Sequence, residues 1–338
     1  MMEKEYIKSV VDYLAIKGMS LNCNGLWYGR MGVVIFFHYY AKYTGTEQFK
    51  ALAMELFKQV KSEIQRDMPA NYARGMSGIG TSIEFLAQNE FLGLKYESLK
   101  NVDARIFFWD IISKQHEDSS LSTGLTGFGQ YFLTRVNRLQ TPNNELNLLI
   151  NKERLLHVVN IFEHTISSTD PHLPDILSFL CRLYCMDICN PKIERCINKV
   201  QSVFSTNKTP AGSRSEMALA FMQMTILYNH IEEFARQSAI RILHNISQTD
   251  SLSMTKTAEG DDIGIIFWLM RVRRIACKTG LVTDLLPQVN QLTGRYLKKI
   301  MNYGFEEGRL SLKGCAGVAL ALMTVTGEMD DNWLDLLG

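Results

Sequence analysis

The sequence predicts an all-α protein, an α/α toroid of seven helical hairpins. Three observations predict it. First, a turn of the form Gly-x-x-Gly leads at once into an apolar run and then returns. It stands at Gly29-Arg30-Met31-Gly32, Gly75-Met76-Ser77-Gly78, Gly124-Leu125-Thr126-Gly127 and Gly314-Cys315-Ala316-Gly317, with weaker copies at 172–180, 215–221 and 260–268. Second, the anchors at 29, 75, 124, 172, 215, 260 and 314 are spaced by roughly 43 to 54 residues, room for two helices and two loops. Third, helical periodicity dominates, only seven prolines interrupt it, and no strand pattern of comparable length is present. Helix pairs that cannot bury their own faces must stack or close on their neighbours.

In chain order, residues 5–18 read as a first helix with Ile7, Val10, Val11 and Leu14 on one stripe. The first glycine turn follows. Residues 33–43 are nearly all apolar, as suits a helix covered on most sides, and Gly45 is placed to end it. Residues 47–64 are amphipathic, with Leu52, Leu56 and Val60 at four-residue steps and lysines between. Each unit is therefore expected to be an inner apolar helix, a turn and an outer amphipathic helix. The breaks at 67–69, 140–144 and 207–212 read as loops between hairpins, so residues 1–338 are expected to form one domain. Gly29 and Gly32 are expected to admit a backbone conformation closed to other residues, and to remove side chains where helix starts crowd. A toroid turns all its inner-helix starts toward one mouth. Their N–H groups make that mouth mildly electropositive, suited to anions and thiolates.

Composition excludes several classes. Hydrophobic residues are 46% of the chain, ample for a large core, and the net charge is +1. Nothing there calls for nucleic acid or an anionic membrane surface as partner. No secretory signal is visible, and no apolar run approaches the roughly 20 residues that span a bilayer, so no integral membrane segment is expected. Seven cysteines, an odd number without paired spacing, suit a reducing cytoplasm.

The first unit, Gly25-Leu26-Trp27-Tyr28-Gly29-Arg30-Met31-Gly32 through Gly45, resembles the opening of bacterial lanthionine synthetase C proteins. Residues 75–86 (Gly-Met-Ser-Gly-Ile-Gly-Thr-Ser-Ile-Glu-Phe-Leu) and the ending Gly314-Cys315-Ala316-Gly317, followed by Trp333-Leu334-Asp335, are similar to family members too. The resemblance spans essentially the whole chain and is weakest in units four to six. It implies a double seven-helix toroid. It also implies chemistry in which a cysteine thiol adds to a dehydrated serine or threonine of a precursor peptide, closing a thioether ring. The family's catalytic zinc is held by a cysteine in unit five and a Cys-His pair in unit six, with an assisting histidine in unit four and an acid in unit three. At the positions that correspond, this sequence has Ser213, Ala258 and Glu259, and Ser120 stands for the acid. His172 is the one survivor of the set. The resemblance with these departures implies a zinc-free pseudoenzyme, with no cofactor, that binds a precursor peptide or a partner modification enzyme. The alternative is a zinc-independent cyclase, since a thiol is intrinsically nucleophilic and needs positioning and a base.

Other residues invite sharper and blander readings. His172 is either a general acid/base at the mouth or a loop histidine after a proline. Trp27, Tyr28, Arg30, Arg74 and Lys313 sit in or beside glycine turns and are the candidates for binding a peptide. Glu259, Asp261 and Asp262 cap a helix start, or else form a carboxylate group acting on carbohydrate. Cys181, Cys185 and Cys189 recur every fourth residue, but eight residues of helix rise about 12 Å, too far for one metal ion. They are expected to be small buried residues of one inner helix. Cys315 is expected to face the mouth, where a reactive thiol would stand beside a helix start. Arg271, Arg273, Arg274 and Lys278 read as a solvated face, or as a dock for an acidic leader segment.

Overall fold

The structure is a computed structural model. It describes residues 2–64, 68–92, 100–112, 118–139, 144–167, 170–204, 220, 222, 232–248, 262–280, 282–303, 309–327 and 329–338. Among these, every regular element is helical, and no helix is long and apolar enough to cross a membrane.

The helices form two concentric rings. Six inner helices are described along their length: Arg30–Thr44, Met76–Gln88, Leu125–Leu139, Leu173–Tyr184, Asp262–Thr279 and Cys315–Val325. In the inner run of the fifth unit the described residues are Ala220 and Met222, both buried. Outer helices Glu47–Ser62, Glu145–Thr165, Asn190–Phe204, Glu232–Gln248 and Leu286–Tyr303 each follow the inner helix of their unit. In unit two the outer element is Lys100–Arg105, continued as one turn of π-helix over Ile106–Ile112. The seventh outer helix is the first of the chain, Met2–Lys17, which packs on Cys315–Val325. Because Cys315–Val325 also packs on Arg30–Thr44, the two ends of the chain close the circle. The fold is the all-α toroid expected from the repeat.

Periodicity set each helix's place. Residues 31–39 are buried without a break, and the run from Met76 to Leu86 is buried residue for residue. The outer helix Glu47–Ser62 buries only Ala53, Leu56, Phe57 and Val60, one stripe of a surface helix. Gly45 caps Arg30–Thr44 at φ 66°, with its N–H on Ala41 O, the left-handed stop that a glycine permits.

Of the two roles expected of the turn glycines, the special backbone conformation is not found and the relief of crowding is. Gly29 and Gly75 lie at φ −130° and −120°, extended backbone open to any residue. What needs glycine is close approach. A Cβ on Gly75 would stand 1.9 Å from Pro69 O, and one on Gly78 1.8 Å from Tyr72 O. Each turn glycine rests its Cα on a carbonyl of the chain arriving at the helix, so the loop lies flat on the first helical turn.

A buried ionic network ties units two and three together. Arg135 reaches Glu84 and, at 2.9 Å, Asp103; Arg138 reaches Glu84 at 2.7 Å; Tyr131 donates to Asp103. Glu84 and Arg135 are 0% and 1% exposed, so these charges depend wholly on one another.

Replacing Arg135 by Met leaves Glu84 to Arg138 alone and Asp103 to Tyr131 and the more distant Arg154, and should cost about 3 kcal/mol in denaturant unfolding. Gly78→Ala, which drives a methyl into a main-chain carbonyl, should cost at least about 2 kcal/mol. Gly294, with nothing within 4 Å of its virtual Cβ in the helix Leu286–Tyr303, is the contrast: Gly294→Ala should stabilise by about 0.5–1 kcal/mol.

Candidate functional site

Four of the turns that start inner helices, those of units seven, one, two and three, are bonded in series through main chain. Lys313 N–H donates to Trp27 O (3.0 Å), Trp27 N–H to Ala73 O (3.0 Å), and Ala73 N–H to Ser122 O (2.9 Å). At the fourth unit the pattern changes partner, and Leu121 N–H donates to the Asp175 carboxylate at 2.8 Å. The glycines make this closeness possible. A Cβ on Gly25 would lie 2.2 Å from Arg74 Cα in the neighbouring turn.

These turns surround a cavity of about 220 Å³. Its wall draws on six of the seven units: Trp27 from the first, Ser120 to Ser122 from the third, His172 to Arg182 from the fourth, Ala220, Arg271 and Lys313. Leu337 and Gly338 complete it. The cavity therefore lies where the repeat converges.

Of the residues expected at the mouth, the structure brings Trp27, Lys313 and His172 to this cavity. Lys313 Nζ sits 3.3 Å above the Trp27 ring, a close cation–π contact. Trp27 is only 4% exposed, and its Nε1–H donates to Leu336 O at 2.9 Å, so it is a buried anchor and not an open docking ring. Tyr28 is exposed beside it, with the exposed Arg74 guanidinium 5.1 Å over the Tyr28 ring. Arg30 is turned to other work. It bonds Asn24 (3.0 Å) and Glu63 (2.6 Å), fastening the first turn to the end of the helix Glu47–Ser62.

His172 precedes the helix Leu173–Tyr184, and its N–H is held by Asp170 at 2.8 Å. Near it lies Asp118. Burial raises the Asp118 carboxyl, but hydrogen bonds from Thr123 and Ser120, with the His172 charge nearby, outweigh that and leave it below the ordinary carboxylate value. Ser120, where the resemblance implies an acid, is 3% exposed and bonded to Thr123.

Of the cationic cluster of unit six, Lys278 is exposed as a solvated face requires, but Arg271 and Arg274 are engaged by the chain itself. Arg271 lines the cavity and donates to Gly338 O. Arg274 grips Asp335 with both terminal nitrogens, at 2.7 and 3.1 Å, and reaches Asp331 at 3.4 Å. With Trp333 fully buried against Phe267 and Tyr72 OH donating to Leu336 O, these contacts lay Asn332–Leu337 across the ring.

The cysteines need correction as well. The helix Leu173–Tyr184 ends before Cys185, so only Cys181 is a buried inner-helix residue; Cys185 is exposed and Cys189 intermediate. Cys315 is buried, its thiol donates to Leu310 O (3.4 Å), and burial pushes it up to about 12. A thiol so held is not a nucleophile facing the mouth. Asp262 pairs with Lys299 at 3.1 Å across two helices, whereas Glu259 and Asp261 lie outside the described residues.

Ser213 and Ala258, like Glu259, are outside the described residues. Among the described residues no three His, Cys, Asp or Glu side chains gather as a metal site. The described cavity wall offers one imidazole and one carboxylate, Asp175, which already accepts an N–H, beside three cationic side chains. That donor set does not fit a thiolate-bound zinc.

Sequence reasoning missed Asp175, Arg182 and Asp118. For the first two a signal existed. Asp175, Ser178 and Arg182 fall at i, i+3 and i+7 of an otherwise apolar helix, a polar stripe that must face something wet.

The closed double ring and its axial cavity define the class, an α/α toroid with inner-helix starts around one mouth. No family model and no curated protein matches the chain. Among solved structures it is similar to nisin cyclase, at a TM-score of 0.65 and 12% identity, over 99% of this chain and 97% of that one. At that identity the likeness is one of fold.

Arg274→Gln should loosen, without releasing, the segment that Trp333 anchors across the ring. Hydrogen exchange at 332–337 should accelerate about fivefold, while protection in the helix Arg30–Thr44 stays unchanged.

Proposed function

We propose that residues 1–338 act as one LanC-like toroid domain in the maturation of lanthipeptide precursors. In this reading the chain is a zinc-free protein that holds a precursor peptide or a partner modification enzyme. The observation that carries it is the likeness in fold to nisin cyclase along nearly the full length of both chains. Two features support the zinc-free part. The resemblance sets Ser213, Ala258 and Glu259 where thiolates and an imidazole would be needed, and the described cavity wall is rich in cations. A dication is disfavoured beside Arg182, Arg271 and Lys313.

For the peptide, the exposed Tyr28–Arg74 pair is the proposed contact, an amphipathic ring with a guanidinium stacked on it. Arg30 and Trp27 then serve from behind by fixing the turn. His172, on the cavity wall, is the group that would take a proton if any addition chemistry remains.

The test is incubation with a dehydrated precursor peptide, read by fluorescence anisotropy and by thiol alkylation with mass detection. Saturable binding is expected, weakened about tenfold by Arg74→Glu, with the peptide thiols still open to alkylation. Loss of alkylation without added metal would replace the holder by a zinc-independent cyclase. No binding to the peptide or to a co-purified dehydratase would overturn the reading. Elemental analysis of protein prepared without chelator should find well under one zinc per chain, and stoichiometric zinc would sink the zinc-free part.

A further inference from the structure

Three positive side chains from three separate elements meet at the cavity. Arg182 comes from the last turn of Leu173–Tyr184, Arg271 from the middle of Asp262–Thr279, and Lys313 from the turn before Cys315–Val325. Bringing like charges together at a small cavity is unfavourable, because the surrounding protein screens them less than water does. Arg182 carries the mark of it. Burial holds its guanidinium below the ordinary arginine range, and the Arg271 charge pushes the same way, opposed by Asp335 and Asp175. It stays charged nevertheless. Asp175 is the one acidic side chain on the described lining, and its carboxylate is shared with the Leu121 N–H. Among the described side chains of this wall, positive charge therefore exceeds negative.

We propose that the cavity is a binding site for a small oxyanion, a carboxylate or phosphate group, held between the guanidinium groups of Arg182 and Arg271 with Lys313 as the third charge. A planar guanidinium fork matches either group with two parallel hydrogen bonds. Arg271 already donates to a main-chain oxygen, that of Gly338, so it is turned toward an oxygen acceptor at this wall. Size sets the class. A cavity of about 220 Å³ lies below the usual range of small-molecule pockets, which suits one anionic group with a few carbons attached. The inference does not rest on the peptide reading, and the probes that test it are not precursors.

Trp27 supplies the readout, since its ring lies on the cavity wall under Lys313. The intact chain is titrated with acetate, inorganic phosphate and chloride at matched ionic strength, following tryptophan emission and thermal midpoint. A saturable response to acetate or phosphate and none to chloride is expected, and the tighter of the two names the source. Arg182→Met should weaken that binding at least tenfold, and Arg182→Lys, which keeps the charge and loses the fork, by less. Lys313→Met serves as a second variant should Arg182→Met not fold, with weakening again expected. The proposal is overturned if neither oxyanion gives a saturable response, or if these variants bind as tightly as the parent chain.

Discussion

The mouth of the toroid hangs on a run of main-chain hydrogen bonds from turn to turn. Lys313 bonds Trp27, Trp27 bonds Ala73, and Ala73 bonds Ser122. Each bond joins residues at nearly the same place in successive repeats, one or two positions before the first turn glycine. The repeat is therefore not only a sequence period; it is a hydrogen-bond register that fixes the angle between neighbouring hairpins. A bond of this kind contributes about 1 kcal/mol net, but leaving its buried partners unpaired costs more. The glycines are its precondition, because any Cβ at Gly25 or Gly78 would hold the turns apart.

Where the series changes partner, the site begins. At unit four a carboxylate, Asp175, takes the place of a carbonyl as acceptor. That puts a charged side chain on the cavity wall and starts the polar stripe that Ser178 and Arg182 continue. A structural exchange of one acceptor for another and the chemistry of the cavity are thus the same event.

The segment Asn332–Leu337 gives the ring a second constraint. Arg274 holds Asp335 in a two-pronged grip, Trp27 and Tyr72 both donate to Leu336 O, and Trp333 fills a fully buried slot. The grip is part-exposed and modest in energy, whereas the tryptophan buries a large apolar area and dominates. The position of Leu337 and Gly338 on the cavity wall follows from that anchoring.

Alternation of apolar runs with glycine turns was enough to determine the toroid, since seven pairs of helices with one apolar face each have few ways to bury them. The inner or outer place of Arg30–Thr44 and Glu47–Ser62 could be read from their patterns alone, because burial on all sides and burial on one stripe leave different periodicities. Local residue patterns also marked Trp27, Lys313 and His172 as residues near the mouth. They could not say that Trp27 is sealed by Leu336 or that Arg30 turns away to Glu63, because both depend on segments far off in sequence. The same reason hid the roles of Arg271 and Arg274. A run of arginines on a helix looks solvated until another segment, here residues 331–338, is laid against it. Cys315 was misread for a related cause. Its helix start does face the mouth, but the direction of one side chain is decided by the packing around it, which only the tertiary structure supplies.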